Sequence, residues 1–129
     1  MKFLFKYILI SVFIISISVC CKKKEVKIVG SWKYEYLSSV DTNKVQIWSF
    51  YEDKSIIKTL DTLKPDTGTW SIKNELFSGD MLKISSMDDH FDGTYEILTL
   101  NKKYLILQRV LLSNGVSAGA FLRAEFIKK

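Results

Sequence analysis

From Ile28 to the end of the chain, apolar residues recur at every second position, and nowhere do they repeat at 3.6-residue spacing over three turns. Half-buried strands require that alternation, because successive side chains of a strand point to opposite faces. In the first segment, Ile28 to Leu37, Trp32, Tyr34 and Tyr36 alternate with Ser31, Lys33 and Glu35. Seven more segments follow: Lys44 to Tyr51, Ser55 to Leu60, Thr67 to Lys73, Met81 to Met87, Thr94 to Leu100, Lys103 to Leu112 and Gly119 to Ile127. The breaks between them are short and polar, such as Glu52-Asp53-Lys54, Asn101-Lys102 and the loop around Pro65.

The pair Asn114-Gly115 gives the strongest local signal. Both residues tolerate the positive φ that a two-residue type I′ hairpin turn demands. Such a turn sets Ser113 opposite Val116, and then Leu107 opposite Leu122 and Leu105 opposite Ala124. A looser loop over Val116 to Gly119 moves that register. The expected fold class is all-β: an eight-stranded antiparallel up-and-down barrel, whose closure removes exposed sheet edges. The alternative is an immunoglobulin-type sandwich, which fits less well because its cysteine pair is missing and the connections are hairpin-length.

The N-terminus follows a different pattern. Lys2 and Lys6 precede an apolar run, Ile8 to Val19, interrupted only by Ser11, Ser16 and Ser18. This charge-then-apolar order is that of a secretory signal. A membrane span needs about 20 apolar residues, and the 15 from Tyr7 to Cys21 fall short of that. The run ends in Ser18-Val19-Cys20-Cys21, which resembles the lipobox of bacterial lipoproteins. The resemblance implies that residues 1–20 are cut off and that Cys21 is acylated, with Cys20 as the alternative site. Residues 21–27 then form a lipidated tether and 28–129 the barrel domain. The lipid attaches the protein to a membrane of the cell envelope. Lys22, in place of the aspartate that retains such proteins at the inner membrane, implies the periplasmic side of the outer membrane if the host has two membranes. The mature chain then carries no thiol and no disulfide.

A second resemblance covers residues 28 to 128. Gly30-Ser31-Trp32 resembles the Gly-x-Trp signature that opens lipocalins. The series Trp48-Ser49-Phe50, Gly68-Thr69-Trp70-Ser71-Ile72, Gly93-Thr94-Tyr95-Glu96-Ile97 and Leu105-Ile106-Leu107 resembles the small lipocalin-like lipoproteins of Bacteroidetes. In lipocalins the signature tryptophan sits at the closed end under a late arginine. That implies a barrel-closing pair of Trp32 and Arg123, with Arg109 as the substitute. Two departures stand out: Asp53-Lys54 replaces the family's frequent Asp-Gly turn, and the domain is short for a lipocalin.

Composition narrows the function classes. From Lys22 onward the chain keeps 108 residues and 17 basic against 14 acidic side chains, a formal +3. That is one modest domain, with no basic stripe for nucleic acid. His90 is the only histidine, which leaves imidazole metal sites and histidine-activated nucleophiles without material. Asp88 to Gly93 fails as a calcium loop, because His90 and Thr99 stand where an oxygen ligand and a glutamate are needed. It reads instead as a solvated hairpin loop. Glycines nowhere cluster to cradle phosphate. No enzyme activity, metal or cofactor is expected. Trp48, Phe50, Trp70 and Tyr95 are the candidate ligand-binding residues, and ordinary core is their other reading, since eight strands enclose either packed side chains or one small ligand. The expected function is a lipid-anchored envelope protein that binds a small apolar ligand. The alternative is a filled barrel that binds a protein partner of the envelope.

Overall fold

The computed structural model describes residues 23–35, 45–61, 63–75, 78–88, 90–119 and 123–129. The expected leader, Cys20 and Cys21 lie outside them. Eight strands run in chain order round a closed antiparallel barrel: β1 (Gly30–Glu35), β2 (Gln46–Phe50), β3 (Ser55–Leu60), β4 (Asp66–Glu75), β5 (Gly79–Ser85), β6 (Gly93–Leu100), β7 (Tyr104–Leu112) and β8 (Arg123–Lys128). The expected up-and-down barrel is the observed one. β1 pairs with β8 from Trp32↔Lys128 to Glu35↔Glu125, so every strand has two neighbours and no edge is left open.

Period-two alternation carries through to burial. Gln46, Trp48 and Phe50 face inward on β2, and Leu105, Leu107 and Arg109 do so on β7. The apolar inward residues form one cluster centred on Trp32, Trp48, Phe50, Leu82, Leu107 and Phe126. The strand directions give the barrel two ends. The turns at 51–54, 75–79 and 101–103 lie at one, called the base, and the connections at 61–65, 86–92 and 113–119 lie at the other, the mouth.

A helical turn over residues 23–28 meets the base. Six residues, four of them charged, are too few to leave a helical period in the sequence, so this stretch read as a spacer. Two of its charges are bound to the barrel. Lys24 pairs with the buried Asp80 of β5, and Glu25 pairs with Lys54 at 2.8 Å. Ile28, expected to begin the first strand, ends the turn instead and is fully buried. Lys54 sits at φ 68°, a left-handed backbone conformation. That conformation costs a non-glycine residue about 1–2 kcal/mol. Its side chain has a use, spanning from Glu25 to the Trp70 ring 4.3 Å away.

The last hairpin departs from the expected register. Leu107 faces Ala124 and Leu105 faces Phe126, a slip of two residues from the expected pairs. Gly115 is at φ 78° while Asn114 is absent from the positive-φ residues, so the turn is not type I′. A Leu112 carbonyl–Gly115 amide bond closes it, and the chain pairs again at Leu111↔Ser117 before β8 begins at Arg123. An even slip leaves each side chain on its own face, which is why the barrel was foreseen although the pairs were not.

Candidate functional site

The base is sealed. Trp32 Nε1 donates to the Ile28 carbonyl at 2.7 Å, tying the indole to the helical turn. The cation across Trp32 is Lys128, whose Nζ lies 4.6 Å from the ring centre and donates to the Val29 carbonyl at 2.9 Å. Gly30 makes room for it: a Cβ there would stand 3.0 Å from Lys128 Cε, and its φ of 125° disfavours other residues. Arg123, the expected partner of Trp32, is at the opposite end of β8 and pairs with Glu125 at 2.9 Å. Its suggested substitute Arg109 is also at the mouth. The β1–β8 pairing sets Trp32 opposite Lys128, which leaves Arg123 five residues away along the strand. Phe50 and Trp70 pack edge to face 5.7 Å apart in the core, and Trp70 Nε1 donates to the Tyr51 carbonyl at 3.1 Å. Neither lines the cavity described next.

At the mouth the barrel is hollow. A cavity of about 250 Å³ is lined by Tyr34, Gln46, Trp48, His90, Phe91, Tyr95, Arg109, Arg123 and Ala124. Two of the four ligand-binding candidates, Trp48 and Tyr95, are therefore at a cavity. Two larger depressions lie outside the barrel, one beside the helical turn and one along β5, β6 and the 111–115 turn. The mouth cavity is walled by the inward side chains of Gln46, Trp48, Tyr95 and Arg109 on three strands, so it is the candidate site. Trp48 forms its floor, with Phe91 and Tyr95 nearly perpendicular to it at 5.8 and 6.3 Å. The indole N–H of Trp48 is buried and has no hydrogen-bond acceptor among the described residues.

The acidic loop between β5 and β6, expected to be solvated, is instead a built cap. Asp92 Oδ1 accepts from the Met87 and Asp88 amides at 2.9 and 3.3 Å, and the Asp88 carbonyl accepts from the Phe91 and Asp92 amides at 2.8 and 2.7 Å. Arg109, buried on β7, holds the cap from inside the barrel by donating to the carbonyls of His90 and Asp92. Tyr95 Oη donates to the Phe91 carbonyl at 2.6 Å. Burial pushes the Tyr95 phenol up to about 12, against the lowering effect of the Arg109 charge. Gly93 starts β6 at φ 149°, and a Cβ there would run into the Leu111 carbonyl and stand 3.1 Å from Arg109 Nε.

Behind Phe91 lies an internal ion pair that sequence reading missed. Lys58 is 7% exposed, pairs with Asp66 at 2.8 Å and places its ammonium 3.6 Å from the Phe91 ring centre. The signal was present, because Lys58 shares the inward parity of Ile56 on β3. Phe91 had a signal too: it is an aromatic residue inside an otherwise polar loop. Among the described residues no group of three or more His, Cys, Asp or Glu is placed to hold a metal ion. The lining of the cavity presents aromatic faces and guanidinium groups. No protein-family model, curated protein or solved structure matches the chain.

Proposed function

We propose that this protein is a lipid-anchored, lipocalin-like barrel of the bacterial envelope that binds a small apolar molecule at its mouth. The observation that carries the reading is the aromatic cavity of about 250 Å³ over Trp48, at the end of the barrel away from the sealed base. A benzene-sized guest occupies a cavity of about 150 Å³, so the space suits a ligand of about ten heavy atoms. The lipobox resemblance at Cys21 supplies the anchor. With a lipid there, the chain enters through the helical turn at the base, and the mouth faces away from the membrane. Lys22 supports the outer membrane in a host with two membranes.

The test has two arms. Labelling cells with a fatty acid should mark the wild-type chain and leave Cys21→Ser unmarked and uncut; a label that persists in both Cys21→Ser and Cys20→Ser refutes the anchor. Native mass spectrometry of protein taken gently from its host should show a small bound molecule, displaced when Trp48 is replaced by alanine. A ligand-free protein that co-purifies with one polypeptide would refute the binding reading in favour of a protein-interaction module.

A further inference from the structure

We infer that the base of the barrel is a membrane-contact surface. Its lysines and Val26 sit against the anionic phospholipid headgroups of the membrane that holds the lipid, and they turn the mouth away from it. The inference rests on the lipid-anchor reading above and names what the base touches.

Charge is divided between the two ends. The helical turn, the base turns 51–54 and 101–103, and Lys128-Lys129 carry eight lysines. Against them stand Glu25, Glu52, Asp53, Glu75 and the buried Asp80. Two of these carboxylates are already paired, Asp80 with Lys24 and Glu25 with Lys54. Asp53 closes its own turn, accepting from the Ser55 amide and hydroxyl at 2.9 and 2.6 Å. Lys23, Lys27, Lys102, Lys103 and Lys129 are exposed, and no carboxylate among the described residues lies within ion-pair distance of them. The mouth has the opposite balance. Its connections at 61–65, 86–92 and 113–119 carry four aspartates and one lysine, Lys64. On the strands beside them Arg123 pairs with Glu125 and Lys58 with Asp66, while Arg109 is buried. An anionic surface therefore attracts the base and repels the mouth.

The anchor puts the base within reach of such a surface. Cys21, the expected lipid site, stands two residues before Lys23. Two residues span at most about 7 Å, less than the ~8 Å over which physiological salt screens a charge. The helical turn is fastened to the barrel by its two ion pairs and by buried Ile28, so Lys23 and Lys27 bring the rest of the base with them. Val26, between those two lysines, is 72% exposed, and Tyr51 on the adjoining turn is 45% exposed. An aliphatic side chain and a phenol among lysines suit the headgroup boundary, where apolar parts enter and cations meet phosphate. Each lysine near an anionic surface is worth about fivefold in binding. The lipid already retains the chain, so what the lysines add is its orientation.

The lipidated chain is placed on two kinds of nanodisc, phosphatidylcholine alone and phosphatidylcholine mixed with phosphatidylglycerol, and amide hydrogen exchange is followed by mass spectrometry. On the anionic discs the turns at 51–54 and 101–103 should exchange several-fold more slowly than on the neutral ones, with 113–119 alike on both. High salt should erase the difference. Lys27→Gln combined with Lys102→Gln and Lys103→Gln should remove the protection while leaving the lipid and the melting temperature unchanged. Lys64→Gln, at the mouth, should leave the protection intact. Base turns that exchange alike on both discs, or slowing at 113–119 instead, would overturn the contact surface while the anchor stands. Polyglutamate that protects the base on neutral discs as fully as the anionic lipid does would overturn the membrane in favour of an acidic protein. A chain isolated without lipid refutes the anchor; the contact surface then stands if the chain still binds the anionic discs through its base, and falls if it binds neither.

Discussion

The three tryptophans divide the barrel into two unlike ends. At the base, Trp32 and Trp70 donate their indole N–H groups to backbone carbonyls, and Lys128 and Lys54 lie across the rings. At the mouth, Trp48 is 2% exposed, yet its N–H has no acceptor among the described residues and its ring faces a cavity. A buried unsatisfied donor costs about 1–3 kcal/mol. The base is thus built for stability, with its polar atoms answered within the chain. The mouth gives up packing and a hydrogen bond where a guest would sit, as binding sites commonly do.

The largest effect should come from the base. Trp32→Ala removes a fully buried indole, leaves the Ile28 carbonyl unanswered and takes away the surface under Lys128. Truncations of this size cost about 3–5 kcal/mol, a large share of what a domain of this length has. Urea unfolding followed by circular dichroism measures it. A loss below about 1 kcal/mol would mean that the base is no better sealed than the mouth.

How much of this division the sequence disclosed follows from the range of each interaction. Strand order and closure were legible because alternation is local and repeated in every segment. Trp32 was singled out as a closing residue through the resemblance of Gly30-Ser31-Trp32 to a family signature, and the structure adds that the missing Cβ of Gly30 lets Lys128 pass. Lys128 itself was not, because the arginine expected there came from the resemblance, whereas the partner of Trp32 is set by the long-range pairing of β1 with β8, which no local signal discloses. The helical turn at 23–28 was hidden by its brevity and its charges. At the mouth, Trp48 and Tyr95 were singled out as aromatic, but so were Phe50 and Trp70, which the barrel uses as core. Side-chain type does not tell a filled level of a barrel from an empty one. That difference is set by which large residues share a level, and only register decides it.

The mouth should also respond to alkali in a way the base does not. Tyr95 has its phenol raised to about 12 by burial, and an unfolded tyrosine titrates near 10. Its folded pKa is the higher one, so the native state binds more protons between the two values and stability falls as pH rises through them. The contribution is complete below about pH 10 and lost by about pH 12, on the order of 2–3 kcal/mol for a shift of this size. Urea midpoints measured against pH for wild type and Tyr95→Phe isolate it, because lysine titration is common to both. Parallel curves would show that Tyr95 is more solvated than the cap over Phe91 implies.

The smallest effect is the most telling. Trp32→Phe and Trp48→Phe make the same chemical change, a smaller ring without its N–H. At Trp32 the change breaks the 2.7 Å bond and strands the buried Ile28 carbonyl, for about 1–3 kcal/mol on top of lost packing. At Trp48 the same deletion removes a donor that had no acceptor, and relief of that burden offsets the lost ring contacts with Phe91 and Tyr95. The expected result is a change within about 1 kcal/mol of wild type for Trp48→Phe, set against a clear loss for Trp32→Phe. Equal losses at both positions would mean that the Trp48 N–H is satisfied in solution, by water or by a molecule retained in the cavity. Repeating the pair on protein unfolded and refolded free of small molecules separates the two. A Trp48→Phe cost that disappears after refolding points to a retained guest at the mouth, and one that persists points to ordered water.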